Sequence, residues 1–359
     1  MLAEPTFEAA RAQFPVLERI AYLNAGSMGP LARATVQAMR AELERDFAGG
    51  RSGKAYVDHV FELRAELRAN LAALVSTHPE QVALTGSTTD GCNIVIAGLR
   101  LGPEDEIVTT SDEHFGLIGP AHASGARVVV VAPDPDAIVA AVTPRTRLVA
   151  LSHVLWTTGQ VLPVRALRES TGIPILVDGA QSVGAIPVAA AGLDFLTISG
   201  QKWLCGPDST GGLVVADPER LRVARPSYFS QRSHEPDGSF DPWPDARRFE
   251  HAWTSAGSIA GLLAALDLRP PWSFERAAET AERCRDLLLE AGLDVVVPAE
   301  RATLVSWHAT NERPAVVVER LARRAVVVRD LPRTDLVRAS VGWWTSEDDL
   351  QRLVAGALA

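Results

Sequence analysis

Lysine is scarce in this chain: Lys54 and Lys202 are the only two. Lys202 sits in Ser199-Gly200-Gln201-Lys202-Trp203-Leu204-Cys205-Gly206-Pro207, with a cysteine three residues on. A deprotonated amine and a thiolate are both nucleophiles, so either side chain is a candidate for covalent chemistry. Other groups able to move protons or hold charge occur upstream: Asp178 closes the apolar run Pro-Ile-Leu-Val, His114 follows Asp112-Glu113, and hydroxyls cluster in Gly86-Ser87-Thr88-Thr89. Arg338 lies far downstream in Leu-Val-Arg-Ala-Ser.

These residues sit at the ends of short apolar runs that read as strands. Gln81–Gly86, Asp105–Ser111, Ala126–Ala132, Thr146–Val154, Pro174–Ala180, Leu193–Gly200 and Gly211–Asp217 alternate with helical patterns, including one that begins just after Gly86. Two further helical patterns, Ala32–Phe47 and Val57–Leu74, precede them. Short apolar strands alternating with helices predict an α/β domain whose largely parallel sheet is buried on both faces. In such a sheet the polar residues at carboxyl strand ends collect in one crevice. Residues 225–256 shift to Pro, Ser, Asp and aromatics and read as a long irregular connection. Beyond it a smaller α/β unit follows. The expected division is a large domain over 15–262 and a small one made of 1–14 with 263–359.

The bulk composition excludes several classes. A content of 47% apolar and 22% charged residues is that of an ordinary globular chain. The net charge of −9 argues against a nucleic-acid partner. No apolar run reaches the roughly 18 residues of a membrane span, and Met1–Phe14 lacks the basic and apolar regions of a secretory signal. A cytoplasmic location with no membrane partner is expected. Cys92, Cys205 and Cys284 are too scattered for a disulfide framework or a zinc site, and no metal is expected.

A carboxylate and a lysine delivered to neighbouring strand ends suit pyridoxal 5'-phosphate (PLP). The amine forms an imine with the aldehyde, and the carboxylate pairs with the protonated ring nitrogen, which keeps the ring an electron sink. The turn Gly86–Thr89 before a helix offers amides and hydroxyls to a phosphate, and His114 is placed to stack on the ring. Each element alone has an ordinary reading as a cap or a solvated side chain; the ordered combination carries the inference.

The segments "LVDGAQSVGAIPV" and "LDFLTISGQKWLCGPDSTGGLVV" resemble the signature of the class V aminotransferase, or cysteine desulfurase-like, group of PLP enzymes. The likeness extends through "YLNAGSMGPL", "TGSTTDGCNIVIAGL", "DEHFGLIGP", "SHVLW", "RFEHAWTS" and "LVRASVGWWTSEDDLQRLV". It implies fold type I, a mostly parallel seven-stranded sheet with a smaller C-terminal α/β domain, and a homodimer with shared active sites. It also implies roles: Lys202 as Schiff-base lysine and proton-transfer base, Asp178 on the pyridine nitrogen, Gln181 toward the ring hydroxyl, and His114 on the ring face. Thr88, Thr89 and Ser199 would hold the phosphate, with Thr254 reaching that of the neighbouring subunit. Arg338 would clamp a substrate α-carboxylate, and Asn24, Ala25 and Gly26 would line that side.

Two departures stand out. Gln201 replaces the histidine the family commonly places before the lysine, where an amide can still donate to phosphate. Trp156 in "SHVLW" replaces a frequent asparagine, which aligns the chain with the subgroup of cystine C–S lyases and isopenicillin-epimerase-like enzymes and points to a changed substrate pocket. No cysteine follows Cys284, where a persulfide-forming desulfurase needs a mobile one. The expected activity is therefore β-elimination on a cysteine-derived amino acid, releasing a thiol or persulfide, pyruvate and ammonia. Epimerization, transamination and decarboxylating deamination of an amino acid stay open as alternatives. Cys205, fixed between Lys202 and the next strand, is expected to be packing.

Overall fold

The computed structural model describes residues 5–359; the first four residues of the expected small domain lie outside the described residues. A seven-stranded sheet dominates, with strands in the order Val82–Thr85, Gly211–Val215, Phe195–Ser199, Ile175–Asp178, Thr146–Ser152, Glu106–Thr110 and Arg127–Val131. Neighbours are parallel except along Gly211–Val215, which runs against the strands on both its sides.

Strand periodicity explains the two-faced burial. Leu84, Val108, Val149, Leu151, Val177, Leu196 and Ile198 belong to the core on one face. Ala83, Ile107, Leu148, Ala150, Leu176, Phe195 and Leu213 belong to the core on the other. Each fully buried Val, Leu or Ile contributes about 1.5–3 kcal/mol, so a one-residue slip would exchange whole cores and is strongly disfavoured. The register thereby fixes the crevice: Ser152 pairs with Asp178, and Asp178 with Thr197.

A second unit is built on the antiparallel strands Leu304–His308, Leu336–Ser340 and Arg329–Asp330. Helices Ser273–Glu290, Pro314–Arg323 and Glu347–Ala357 supply residues to its core, which includes Leu288, Val305, Trp307, Leu321, Val337 and Leu353. Ala21 and Tyr22 pair with Val326 and Val327, so the strand bonds of the N-terminal segment run to this unit from beyond the boundary expected at residue 15. A seam of Phe14, Ala25, Trp203, Cys205, Trp343 and Trp344 joins the two units.

The connection 225–256 differs from the expected irregular loop. Gln231–His234 and Phe240–Pro242 form an antiparallel hairpin, and its turn contains Asp237-Gly238 with Gly238 at φ +88°. Asp-Gly is a hairpin signal because only glycine takes positive φ without steric cost. Among the described residues no helix is long and apolar enough to cross a membrane.

Candidate active site

The lysine turn is held from below by the N-terminal segment. Gly29 N donates to Gln201 O at 2.8 Å, and a Cβ on Gly29 would run into the Lys202 carbonyl. Cys205 is 4% exposed and burial pushes its thiol up to about 12, so it is a packed, protonated side chain. The contrast with Lys202 is sharp. Burial drives the lysine down to about 8, against the pull of Asp178 and with help from Arg338 and Arg329. At pH 7 about one such amine in ten is neutral, far more than for an ordinary lysine. Uptake of PLP by the apoprotein should therefore accelerate about tenfold per pH unit up to about pH 8 and then level off, which stopped-flow absorbance across pH 6–10 would test; a flat profile below pH 8 refutes it.

Asp178 is 3% exposed, and its Oδ1 accepts from Ala180 N at 2.9 Å and Thr197 Oγ1 at 3.3 Å. Both contacts fall on one oxygen, which fixes the carboxylate and leaves Oδ2 outside them. His114 Nδ1 accepts from Gly116 N at 3.1 Å, which assigns the proton of the neutral ring to Nε2. Burial first, then Lys202, lower the imidazole, so it is a neutral, orientable plate. Trp156 meets it edge to face at 5.5 Å.

The phosphate candidates divide. Ser87 caps helix Thr88–Gly98, accepting from Asp90 N at 3.1 Å, and the amides of Thr88 and Thr89 ahead of it, which have no hydrogen-bond partner among the described residues, suit an anion. Thr88 is buried there; the Thr89 hydroxyl lies against the His114–Gly116 turn, where a Cβ on Gly116 would collide with it. Ser199 Oγ donates to Gln201 Oε1 at 2.9 Å, leaving the Gln201 amide NH2 as the donor end. Thr254, half-buried between exposed Trp253 and the Ser255 cap of the next helix, makes no side-chain hydrogen bond to this cluster among the described residues.

The carboxylate side is the most revealing. Arg338 is 1% exposed, and its Nη1 donates to Trp156 O at 2.6 Å. Its Nε and Nη2, with Ser340 Oγ, are buried without hydrogen-bond partners among the described residues. A Cβ on Gly26 would lie 2.9 Å from Arg338 Nη2, 2.8 Å from Ser340 Oγ and 3.0 Å from Gln181 Oε1. Gly26 thus borders the Arg338 and Ser340 donors, and a side chain there would block approach to them. Gln181 ties the two halves: Nε2 donates to Gly26 O at 2.8 Å and Oε1 accepts from Trp203 Nε1 at 3.0 Å. Asn24 bridges to Ser340 and accepts from Ser27 Oγ at 2.8 Å, while Ala25 is fully buried.

Three residues of this site were not singled out from the sequence. Ser340 was within reach, since it lies two positions beyond Arg338 and so on the same strand face. Arg329 sits directly opposite Arg338 in the antiparallel register, with Nη1 2.9 Å from Ser27 Oγ; no local signal announces that pairing. Glu113 is 9% exposed and receives Ser152 N at 3.0 Å, Ser152 Oγ at 2.5 Å and Thr110 Oγ1 at 2.8 Å. Burial, partly offset by those bonds, raises its carboxyl to about 7. It locks the strand ends that present His114.

The residues fit PLP: a buried amine at reduced pKa, an oriented carboxylate, a neutral imidazole, a capped helix N-terminus and an arginine with two nitrogens unengaged among the described residues line one crevice. The chain matches the aminotransferase class-V family over residues 21–353 and belongs to it, as a PLP-dependent enzyme of fold type I. Isopenicillin N epimerase of Streptomyces clavuligerus is 28% identical, covering 98% of each chain. A cysteine desulfurase of Klebsiella pneumoniae (strain 342) is 28% identical, covering 97% of each. Among solved structures, a lysine-to-alanine mutant of C-DES with glycine covalently linked to the PLP cofactor superposes with a TM-score of 0.91 at 28% identity, over 97% of this chain and 98% of that one. The complex of the cystine C–S lyase C-DES with its reaction product cysteine persulfide gives 0.89 at 28% identity, over 96% and 99%.

Proposed function

We propose that this enzyme is a C–S lyase that performs β-elimination on a cysteine-derived or S-substituted cysteine. The balanced reaction is R–S–CH2–CH(NH3+)–COO− plus water giving R–SH, pyruvate and ammonium. The observation that carries the reading is the buried edge of Arg338 beside Ser340 and Gly26, without hydrogen-bond partners among the described residues. Those donors match an α-carboxylate in the bidentate geometry arginine offers.

Asp178, His114, Gln181 and Lys202 would hold the PLP ring, and Thr88, Thr89, Ser199 and Gln201 its phosphate; Thr254 of a second subunit would complete that cradle. Bound there, PLP supplies an electron sink for bonds at the substrate α-carbon. Arg338 and Ser340 fix the substrate carboxylate, and Asn24 to Gly26 wall that side. Lys202, with a pKa near ambient pH, removes the α-proton at Nζ and later returns a proton. Trp156 packs edge to face on His114 and would wall that side of the ring. Arg329, opposite Arg338, places a second cation near the site and favours substrates with a further anionic group, such as a disulfide-linked amino acid.

The lyase reading, rather than persulfide-forming desulfurization, is supported by the absence of any cysteine after Cys284 and by the buried, inert Cys205. A homodimer fits the exposed Tyr228 and Trp253, which both pack on Phe229, and Leu43, which lines a groove with Ser255 and Ala256 beside the Thr254 arm. The test is a substrate panel: cystine, cysteine and S-substituted cysteines assayed for pyruvate. Cystine is expected to outperform cysteine. Absence of pyruvate from every member, with exchange of the α-proton into solvent, would replace this reading with epimerization.

A further inference from the structure

The arm that carries Thr254 is clasped to both ends of the phosphate turn at consecutive residues. Glu250, 2% exposed, accepts from Leu84 N at 3.1 Å and Arg68 Nη1 at 2.9 Å, and also pairs with Arg64. Leu84 lies on the edge strand Val82–Thr85, so Glu250 satisfies an amide that no ladder neighbour reaches. The next residue, His251, places Nε2 3.0 Å from Asp90 Oδ1. Arg225 Nη1 stands 3.6 Å from the same oxygen, and Asp90 Oδ2 accepts from Gly86 N at 3.1 Å.

Asp90 occupies the first turn of helix Thr88–Gly98. A carboxylate there interacts well with the helix dipole but competes with any anion seeking the same amides. Burial works to raise its carboxyl, yet the bonds from His251 and Gly86, with Arg225 nearby, outweigh that and hold it below the usual range. Asp90 is thus ionised beside the turn read above as the phosphate site, and its charge is drawn sideways by His251 and Arg225.

We propose that His251 is a positioning residue for the cofactor phosphate. It turns the Asp90 carboxylate away from the free amides of Thr88 and Thr89, and it fixes the arm bearing Thr254 to the same turn. This inference rests on the assignment of the phosphate to that turn.

The experiment follows release of PLP from holoenzyme under continuous buffer exchange, read by loss of the visible absorbance band, with 31P chemical shift of the bound phosphate as a second signal. His251→Ala is expected to release PLP about tenfold faster and to shift the 31P resonance. His251→Gln, whose amide can still donate to Asp90, should return both toward the parent. Adding Asp90→Asn to His251→Ala should slow release again, because the repelling charge is gone. Equal release from His251→Ala with and without Asp90→Asn overturns the inference and leaves a purely structural link. Parent-like release from His251→Ala while Thr89→Ala releases faster also overturns it and spares the phosphate assignment. Parent-like release from Thr89→Ala as well removes the phosphate assignment and the inference with it.

Discussion

Replacing Lys202 with alanine is expected to lower pyruvate formation from every substrate by at least about 10²–10⁴-fold, the usual share of a positioned acid–base group, and by more because the covalent anchor is lost with it. The only other lysine, Lys54, pairs with Asp58 on the surface at 2.5 Å and is 87% exposed, so it offers no substitute. Small amines added to the variant should restore part of the rate in proportion to their basicity. A stability measurement separates this from misfolding. Lys202 has a folded pKa of about 8 against an ordinary 10.5, so the unfolded chain binds more protons between those values. Its penalty is absent above about pH 10.5, grows as pH falls, and is complete below about pH 8. Subtracting the variant's unfolding free energy from the parent's, both as apoproteins so that the Lys202 amine is free, should expose this slope across that window. A variant that keeps parental turnover, or a difference curve without slope, refutes the assignment.

The parts of the site legible in the sequence are those fixed by strand ends. Asp178, Lys202, His114 and the Gly86–Thr89 turn each follow an apolar run, and parallel strands must bring their carboxyl ends to one edge. What stayed hidden depends on pairings between distant segments. The run Ala325–Leu331 reads as one strand but changes partner at Val328: Val326 and Val327 pair with Ala21 and Tyr22, whereas Arg329 and Asp330 pair with Arg338 and Val337. That switch places Arg329 opposite Arg338, and neither run shows it in isolation. Glu250 and His251 were hidden for the same reason, because their partners at Leu84 and Asp90 belong to an edge strand and a helix start far away in sequence. The Asp237-Gly238 hairpin was readable from its turn residues alone; the surrounding Pro and Ser content masked it.

Arg338→Met is expected to weaken the enzyme and strengthen the fold. On the functional side, removing one partner of a buried charge pair costs about 2–5 kcal/mol, or about 30- to 5000-fold in kcat/KM, with Arg338→Lys in between because an ammonium cannot present two parallel donors. On the stability side, burial and the neighbouring Arg329 lower the guanidinium to about 9, so at neutral pH it carries a full charge in a dry site. Its Nε and Nη2 have no hydrogen-bond partners among the described residues. Desolvating such a charge costs several kcal/mol. The methionine variant leaves the Trp156 carbonyl without its donor, a loss of about 1–3 kcal/mol, which is the smaller quantity. The apoprotein of the Arg338→Met variant should therefore melt higher than the parent, while a carboxylate ligand should raise the melting temperature of the parent alone. Lower melting of the variant with kcat/KM intact would show that Arg338 serves the fold through Trp156 and that the substrate carboxylate is bound elsewhere.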